Sequence, residues 1–200
     1  MKKEKIFKVF TNIPTLHTER LSLRAMHPID AEDMYDYASR PEVTKYLLWK
    51  EHKSVGYTKD YLFYIGTRYA LGDFYDWAII DRESRRMIGT CGFTRIDAAN
   101  DCAEIGYVLN PDFHGKGYAT EAVKKIIDFG FSELSFNRIE ARFMKGNEAS
   151  LRLMQRVGMT FEGYMRDLIF VKGSYRTVGI SSILRSEYDK LKTSEEENKK

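Results

Sequence analysis

Residues 104–122, EIGYVLNPDFHGKGYATEA, decide how this chain folds. They predict a strand ending near Leu109, a turn containing His114-Gly115-Lys116-Gly117, and a helix from Tyr118. Glycines let main-chain N–H groups approach a ligand closely, and the start of the following helix adds a favourable dipole for an anion. The turn is therefore suited to a pyrophosphate. It has neither the GxxxxGK[ST] spacing of a P-loop nor the GxGxxG of a dinucleotide fold.

Working outward, hydrophobic periodicity predicts strands and helices on both sides of this stretch. The predicted strands are 20–25, 74–81, 87–96, 102–109, 138–143, 159–164 and 176–184, and the predicted helices begin near Pro28 and span 58–71, 118–134 and 148–157. The three strands of 74–109 form an antiparallel meander, whereas the following helix–strand alternation implies parallel pairing. The prediction is an α/β (α+β) fold with a mixed sheet.

Composition favours one globular domain. The chain has 200 residues, of which 43% are hydrophobic and 30% charged. We expect a loosely ordered segment over 1–14, a folded domain over 15–188 and a charged tail over 189–200. A net charge of +3 is too small to indicate nucleic-acid binding.

Cysteine, histidine and hydropathy patterns exclude other classes of protein. Cys91 and Cys102 lie in apolar runs and are predicted to be buried thiols, and His17, His27 and His52 lack metal-site spacing. We expect no metal. No apolar run approaches the roughly 20 residues that span a bilayer, and the first residues lack the pattern of a signal peptide. We therefore expect a cytoplasmic protein without membrane contact.

The turn and its surroundings resemble the GNAT superfamily of acetyltransferases. The family's acetyl-CoA motif is Gln or Arg, two residues, Gly, any residue, then Gly or Ala; Gly117 and Ala119 match, while His114 replaces the first residue. The resemblance covers 15–188 and is closest to the ribosomal-protein N-terminal acetyltransferases. The matching features are Thr18-Glu19-Arg20-Leu21-Ser22-Leu23-Arg24, Asn147 with Ser150, Gly158-Met159 and Glu162-Gly163.

The resemblance implies a GNAT-like mixed, mostly antiparallel sheet that is flanked by helices and splayed between the strands at 102 and 138. Acetyl-CoA would be the co-substrate. Main-chain groups near the end of the first of these strands would hold the pantetheine arm, the turn would hold the pyrophosphate, and an amide would contact pantetheine. The implied residues are Tyr107, Val108, Leu109, His114, Gly115, Lys116, Gly117, Tyr118, Ala119, Thr120 and Asn147.

Catalytic candidates follow from the same resemblance. An attacking amine must lose a proton, and Glu104 is the first candidate for the base and Glu140 the second. The alternative for Glu104 is an ion-paired or solvent-facing strand residue. Many GNAT enzymes protonate the leaving thiolate with a Tyr where this chain has Met154, so Ser150 is the predicted donor; its alternative is helix capping.

The predicted function is transfer of acetyl from acetyl-CoA to an amine by direct attack in a ternary complex. The acceptor expected from the resemblance is the N-terminus of a ribosomal protein, and the protein would be a monomer or homodimer. A polyamine, an aminoglycoside-type amine or a non-catalytic CoA-sensing module are the alternatives. Asp60, Asp73 and Asp76 could favour a cationic acceptor, although solvated surface charge is the commoner explanation.

Overall fold

The computed structural model describes residues 2–197. The strands are β1 (Leu16–His17), β2 (Leu21–Arg24), β3 (Tyr75–Asp81), β4 (Met87–Asp97), β5 (Cys102–Leu109), β6 (Arg138–Met144), β7 (Thr160–Val171) and β8 (Ser174–Leu184). The helices are α1 (Lys2–Thr11), α2 (Ala31–Ala38), α3 (Pro41–Thr44), α4 (Val55–Ala70), α5 (Tyr118–Ser132), α6 (Glu148–Arg156) and α7 (Arg185–Glu197). Short 3₁₀ turns cover Pro28–Asp30 and Pro111–Phe113.

Within these residues the strands form an eight-stranded mixed sheet in the order β1-β2-β3-β4-β5-β6-β8-β7. The pairs β1–β2, β2–β3, β3–β4, β6–β8 and β7–β8 are antiparallel. Strands β5 and β6 are parallel, with Cys102 opposite Arg138 and Ile105 opposite Ala141. The predicted mixed, mostly antiparallel sheet with flanking helices is confirmed, and the splay stays a prediction.

The chain divides into two compact units, the first comprising residues up to Thr94 together with Gly106–Ile126. Its core forms where α2 and α4 pack on the sheet, because each presents one apolar stripe. Ile65 and Tyr69 of α4 are buried, which confirms the predicted core stripe. Gly72, with φ of 64°, ends this helical segment.

The N-terminal segment is a correction to the sequence prediction. Residues 1–14 were expected to be loosely ordered, but α1 occupies Lys2–Thr11 and buries Ile6 and Phe10. These two residues are four apart and so share one helix face. The Phe10 ring packs edge-on against Tyr75 at 4.7 Å between ring centroids. The short, lysine-rich sequence is a weak helix pattern, and the aromatic partners of Phe10 come from far along the chain.

The second unit comprises Arg95–Ile105 together with the chain from Ile127 onward. Its last helix, α7, continues to Glu197 and so includes part of the predicted charged tail over 189–200. Tyr188 stacks on Phe131 at 4.6 Å, and Lys192 pairs with Asp128 at 2.8 Å. These contacts hold a helix whose sequence looks fully solvated; residues 198–200 lie outside the described part.

The predicted burial of the two cysteines is confirmed for Cys91 and wrong for Cys102. Cys91 is fully buried, and burial raises the pKa of its thiol. Cys102 is partly exposed, because it begins β5 on the strand face that also carries Glu104. Among the described residues, no helix is both long and apolar enough for a membrane span.

Candidate active site

The glycine-rich turn joins β5 to α5 within the first unit. Asn110 is fully buried, and its side chain accepts a hydrogen bond from the Asp112 N–H at 3.1 Å, which starts the 3₁₀ turn. Gly115 and Gly117 then have φ of 76° and 83°. Such left-handed values strain residues with a Cβ, so two glycines permit the chain to reverse here.

The turn presents main-chain donors at the start of α5. The N–H of Glu121 bonds the carbonyl of Gly117 at 3.0 Å, which begins the hydrogen bonding of this helix. N–H groups earlier in the helix, at Tyr118, Ala119 and Thr120, have no acceptor within it. Because residues 114–117 are exposed, this end of α5 is open to an anion.

Two side chains of the turn contact the turn itself. The Nε2 atom of His114 lies 3.1 Å from the carbonyl oxygen of Leu109 and donates to it. The ammonium of Lys116 bonds the carbonyl of Asp112 at 3.3 Å and lies 5.3 Å from the Phe113 ring centroid. Both side chains therefore help to hold the turn, and a contact of either with the cofactor stays a prediction.

The same turn is clamped by a segment that lies about 100 residues earlier in the chain. Glu121 accepts hydrogen bonds from the Thr18 hydroxyl at 2.6 Å and from the Arg20 N–H at 2.9 Å. The Arg20 guanidinium bonds Glu121 at 2.7 Å and the Lys116 carbonyl at 2.8 Å. Its Cζ atom lies 4.5 Å from the Tyr118 ring centroid. The Thr18-Glu19-Arg20-Leu21 segment stands out in the sequence, but its partner Glu121 does not, because 101 residues separate Arg20 from Glu121.

The residues expected to hold pantetheine, Tyr107, Val108 and Leu109, end β5 and are partly buried. A Cβ added to Gly89 of β4 would lie 2.1 Å from the Val108 carbonyl oxygen, so only glycine fits there. The backbones approach closely at this point. Binding of pantetheine by these residues stays a prediction.

In the second unit, Glu104 and Glu140 share one sheet face with a row of arginines. Arg142 lies 3.3 Å from Glu104 and 3.1 Å from Glu140, and Arg95 approaches both carboxylates at 3.9 and 3.3 Å. Arg138 pairs with Glu140 at 3.2 Å. The ion-paired alternative for Glu104 therefore applies, and its role as base remains a prediction.

Arg138 also holds a second carboxylate of this face. It bonds Glu162 at 2.7 Å, and the Ser182 hydroxyl donates to the same carboxylate at 2.7 Å. The Arg138 and Ser182 hydrogen bonds lower the pKa of Glu162 to about 2. A carboxylate with so low a pKa is a poor proton acceptor, so Glu104 and Glu140 remain the candidates for the base.

Asn147 and Ser150 occupy the start of α6 in the second unit. Asn147 is the N-cap, and its side-chain oxygen accepts the Ser150 N–H at 3.2 Å. Asn147 therefore caps α6 through the backbone of Ser150, and the two alternatives for the Ser150 hydroxyl, helix capping and donation to the thiolate, both stay predictions. Because the side-chain oxygen of Asn147 already accepts the Ser150 N–H, we expect Asn147 to contact a ligand through its Nδ2 donors. Met154 is buried.

The three aspartates considered for a cationic acceptor differ in environment. Asp60 is exposed, and Asp73 pairs with Arg68 at 2.7 Å. Asp76 accepts hydrogen bonds from the Trp77 N–H at 3.0 Å and from Thr90, yet burial raises its pKa to about 7. The solvated-charge interpretation is therefore wrong for Asp76. Residues 2–197 contain no group of three or more His, Cys, Asp or Glu side chains placed to hold a metal.

The mixed sheet and the exposed, glycine-rich turn at the start of α5 define an α/β protein whose turn is open to an anion. Residues 20–160 match the model of the Acetyltransferase (GNAT) domain. The chain belongs to the GNAT family and is an acetyl-CoA-dependent N-acetyltransferase.

Relatives and solved structures agree with this. The chain is 42% identical to the uncharacterised N-acetyltransferase p20 of Bacillus licheniformis, over 87% of this chain and 98% of that protein. It is 28% identical to YdaF of Bacillus subtilis, named as a candidate ribosomal N-acetyltransferase, over 86% and 94% of the two chains. It is 29% identical to the spermidine N(1)-acetyltransferase of Escherichia coli K12, over 59% and 68%. A GNAT-family acetyltransferase structure from Bacillus anthracis superposes with a TM-score of 0.77 at 26% identity, covering 86% of this chain and 99% of that one.

Proposed function

We propose that this enzyme acetylates the α-amine at the N-terminus of a ribosomal protein. The observation that carries the transferase chemistry is the open, glycine-rich start of α5, which offers main-chain donors to the pyrophosphate of acetyl-CoA. The choice of acceptor is supported by the similarity to YdaF over most of both chains. Because a ribosomal-protein acceptor is made in the cytoplasm, the proposal includes a cytoplasmic location for the enzyme.

In the proposed reaction the neutral amine attacks the thioester carbon directly. The new C–N bond forms as the carbonyl becomes an oxyanion, which a main-chain N–H near the end of β5 would stabilise. The oxyanion then collapses, the C–S bond breaks and CoA leaves as a thiolate. The amine proton passes to the base, and the departing thiolate is stabilised by a hydrogen bond donated by the Ser150 hydroxyl or by water.

The base need not be strong for this acceptor. An α-amino group has a pKa of about 7.7 to 8.0 and a lysine about 10.4, so an α-amine requires far less help to become neutral at pH 7. Glu104 is our first choice and Glu140 our second. Asn147 would donate from Nδ2 to a carbonyl of pantetheine.

A polyamine is the second candidate acceptor, because one relative is a spermidine acetyltransferase. An acidic site in this chain would suit a polycation. Asp76 is half-buried and has a raised pKa, so an ammonium bound there would favour its ionised form.

One assay separates these acceptors. The enzyme is incubated with acetyl-CoA and a thiol reagent, and separate ribosomal-protein and polyamine pools are offered. We expect CoA release with the ribosomal fraction, and intact-mass spectrometry should find one added acetyl group on a protein N-terminus. CoA release with polyamines alone would favour the second acceptor. No amine-dependent release from either pool would contradict both.

A further inference from the structure

The Thr18-Glu19-Arg20 segment contacts the start of α5, and the proposed reaction assigns it no role. The Arg20 side chain is 41% exposed and that of Glu121 17%. Both residues belong to the first compact unit, so the contact is internal to that unit. We infer that Arg20 is a positioning residue for the pyrophosphate of acetyl-CoA, acting through the Lys116–Gly117 peptide and the Glu121 carboxylate. This inference rests on the proposed use of the turn for acetyl-CoA.

The first part of the argument is the orientation of one peptide plane. Arg20 donates from Nη1 to the Lys116 carbonyl oxygen at 2.8 Å. In a trans peptide the carbonyl and the following N–H point in opposite directions, and no cis peptide occurs among the described residues. The Gly117 N–H is therefore turned away from Arg20. Gly117 has φ of 83° and could otherwise rotate easily.

The second part concerns charge. Glu121 lies in the first turn of α5, where a carboxylate would repel a pyrophosphate bound at the same helix end. Burial would raise the pKa of Glu121, but hydrogen bonds from Thr18 and Arg20 hold it below its ordinary value. The carboxylate is thus ionised, and Arg20 at 2.6 Å neutralises it. Without Arg20 the turn would lose a fixed donor and gain an uncompensated negative charge.

The third part is the geometry of the arginine itself. One guanidinium bonds a carboxylate and a carbonyl at the same time and lies over the Tyr118 ring. A lysine is a point charge and cannot provide this planar set of donors. The positioning role thus requires Arg at this residue, whereas simple charge neutralisation does not.

The test measures CoA binding by calorimetry, which needs no knowledge of the acceptor. Arg20→Gln should weaken CoA binding roughly tenfold, a change of about 1.4 kcal/mol. Arg20→Lys should bind CoA more tightly than Arg20→Gln but less tightly than the wild type. With an acceptor in hand, KM for acetyl-CoA should rise while kcat stays within about twofold, because Arg20 touches no reacting atom.

Arg24→Gln is the matched control. Arg24 also bonds a carboxylate, Asp30, at 2.6 Å and a main-chain carbonyl, that of Ala25, at 2.8 Å. Arg24→Gln should cost at least as much stability, because Asp30 is more buried than Glu121, and the folded variant should bind CoA as the wild type does. Wild-type affinity in both Arg20 variants, or equal weakening by Arg24→Gln, would overturn the inference. Failure of the wild-type protein to bind CoA would instead refute the proposed use of the turn.

Discussion

Glu104 lies directly opposite Glu140 in the parallel pair of β5 and β6, and Arg142 forms ion pairs with both. Two carboxylates this close would repel each other without the intervening guanidinium. The side chain of Glu140 is only 7% exposed, compared with 19% for Glu104. Glu104 is therefore the more accessible of the two to an amine.

Glu104→Gln should lower turnover at neutral pH by roughly 10²-fold or more, the range of general-base catalysis, while acetyl-CoA binding changes little. The change keeps the shape of the side chain and removes its basicity. Steady-state kinetics on Glu104→Gln and Glu140→Gln measure this. If only Glu140→Gln slows the reaction, the base is on β6 and our ranking is reversed.

Gly117→Val should abolish acetyl-CoA binding and leave the fold largely intact. A β-branched residue at φ of 83° strains the turn, and its Cβ would lie 3.4 Å from an Arg20 nitrogen. Gly173, at the β7–β8 turn, has the same φ of 83° and open space around it. Gly173→Val is thus a control for strain alone. Normal acetyl-CoA affinity in Gly117→Val, measured by calorimetry, would rule out this turn as the binding site.

Ser150→Ala should reduce turnover by about one to two powers of ten, since a hydrogen bond to a developing charge contributes about 1–3 kcal/mol. Alanine keeps the N–H that Asn147 caps, so a lowered melting temperature with an unchanged rate would support the capping alternative for the Ser150 hydroxyl instead. Asn147→Ala removes the cap and should lower stability by about 1 kcal/mol. An unchanged rate in folded Ser150→Ala would make water the donor to the thiolate.

Asp76→Asn should remove a pH dependence of stability. The folded pKa of about 7 exceeds that of an unfolded aspartate, so the folded state binds the extra proton between these values. Stability must then fall as pH rises from about 4 to about 7, by roughly 1.4 kcal/mol for each unit of pKa difference. The difference between the melting temperatures at about pH 5 and about pH 8 should be smaller for Asp76→Asn than for the wild type.

Asp73→Asn is the comparison for that measurement. Asp73 is an exposed aspartate that comes just before β3 and pairs with Arg68. Its replacement should shift the melting temperature equally at both pH values. An Asp76→Asn protein that keeps the wild-type difference would show that another group carries the pH dependence.

Local patterns determined most of the element order. Period-two and helical spacing gave β3 to β8 and α4 to α6 with their ends displaced by a few residues, the largest shift being the extension of β7 to Val171. Glycines at positions that need positive φ located the turn before α5. The motif in that turn led to the family, which the match over residues 20–160 confirms.

The tertiary structure decided what depends on partners distant in sequence. Phe10 is buried because β3 supplies Tyr75 and Trp77, a fact that no pattern within α1 contains. Arg20 clamps the turn because folding brings Glu121 to it across 101 residues. Local sequence determines which segments favour helix, strand or turn, since these preferences depend on neighbours along the chain. Which charges pair and which carboxyl is buried depends on long-range packing, and only the folded chain specifies it.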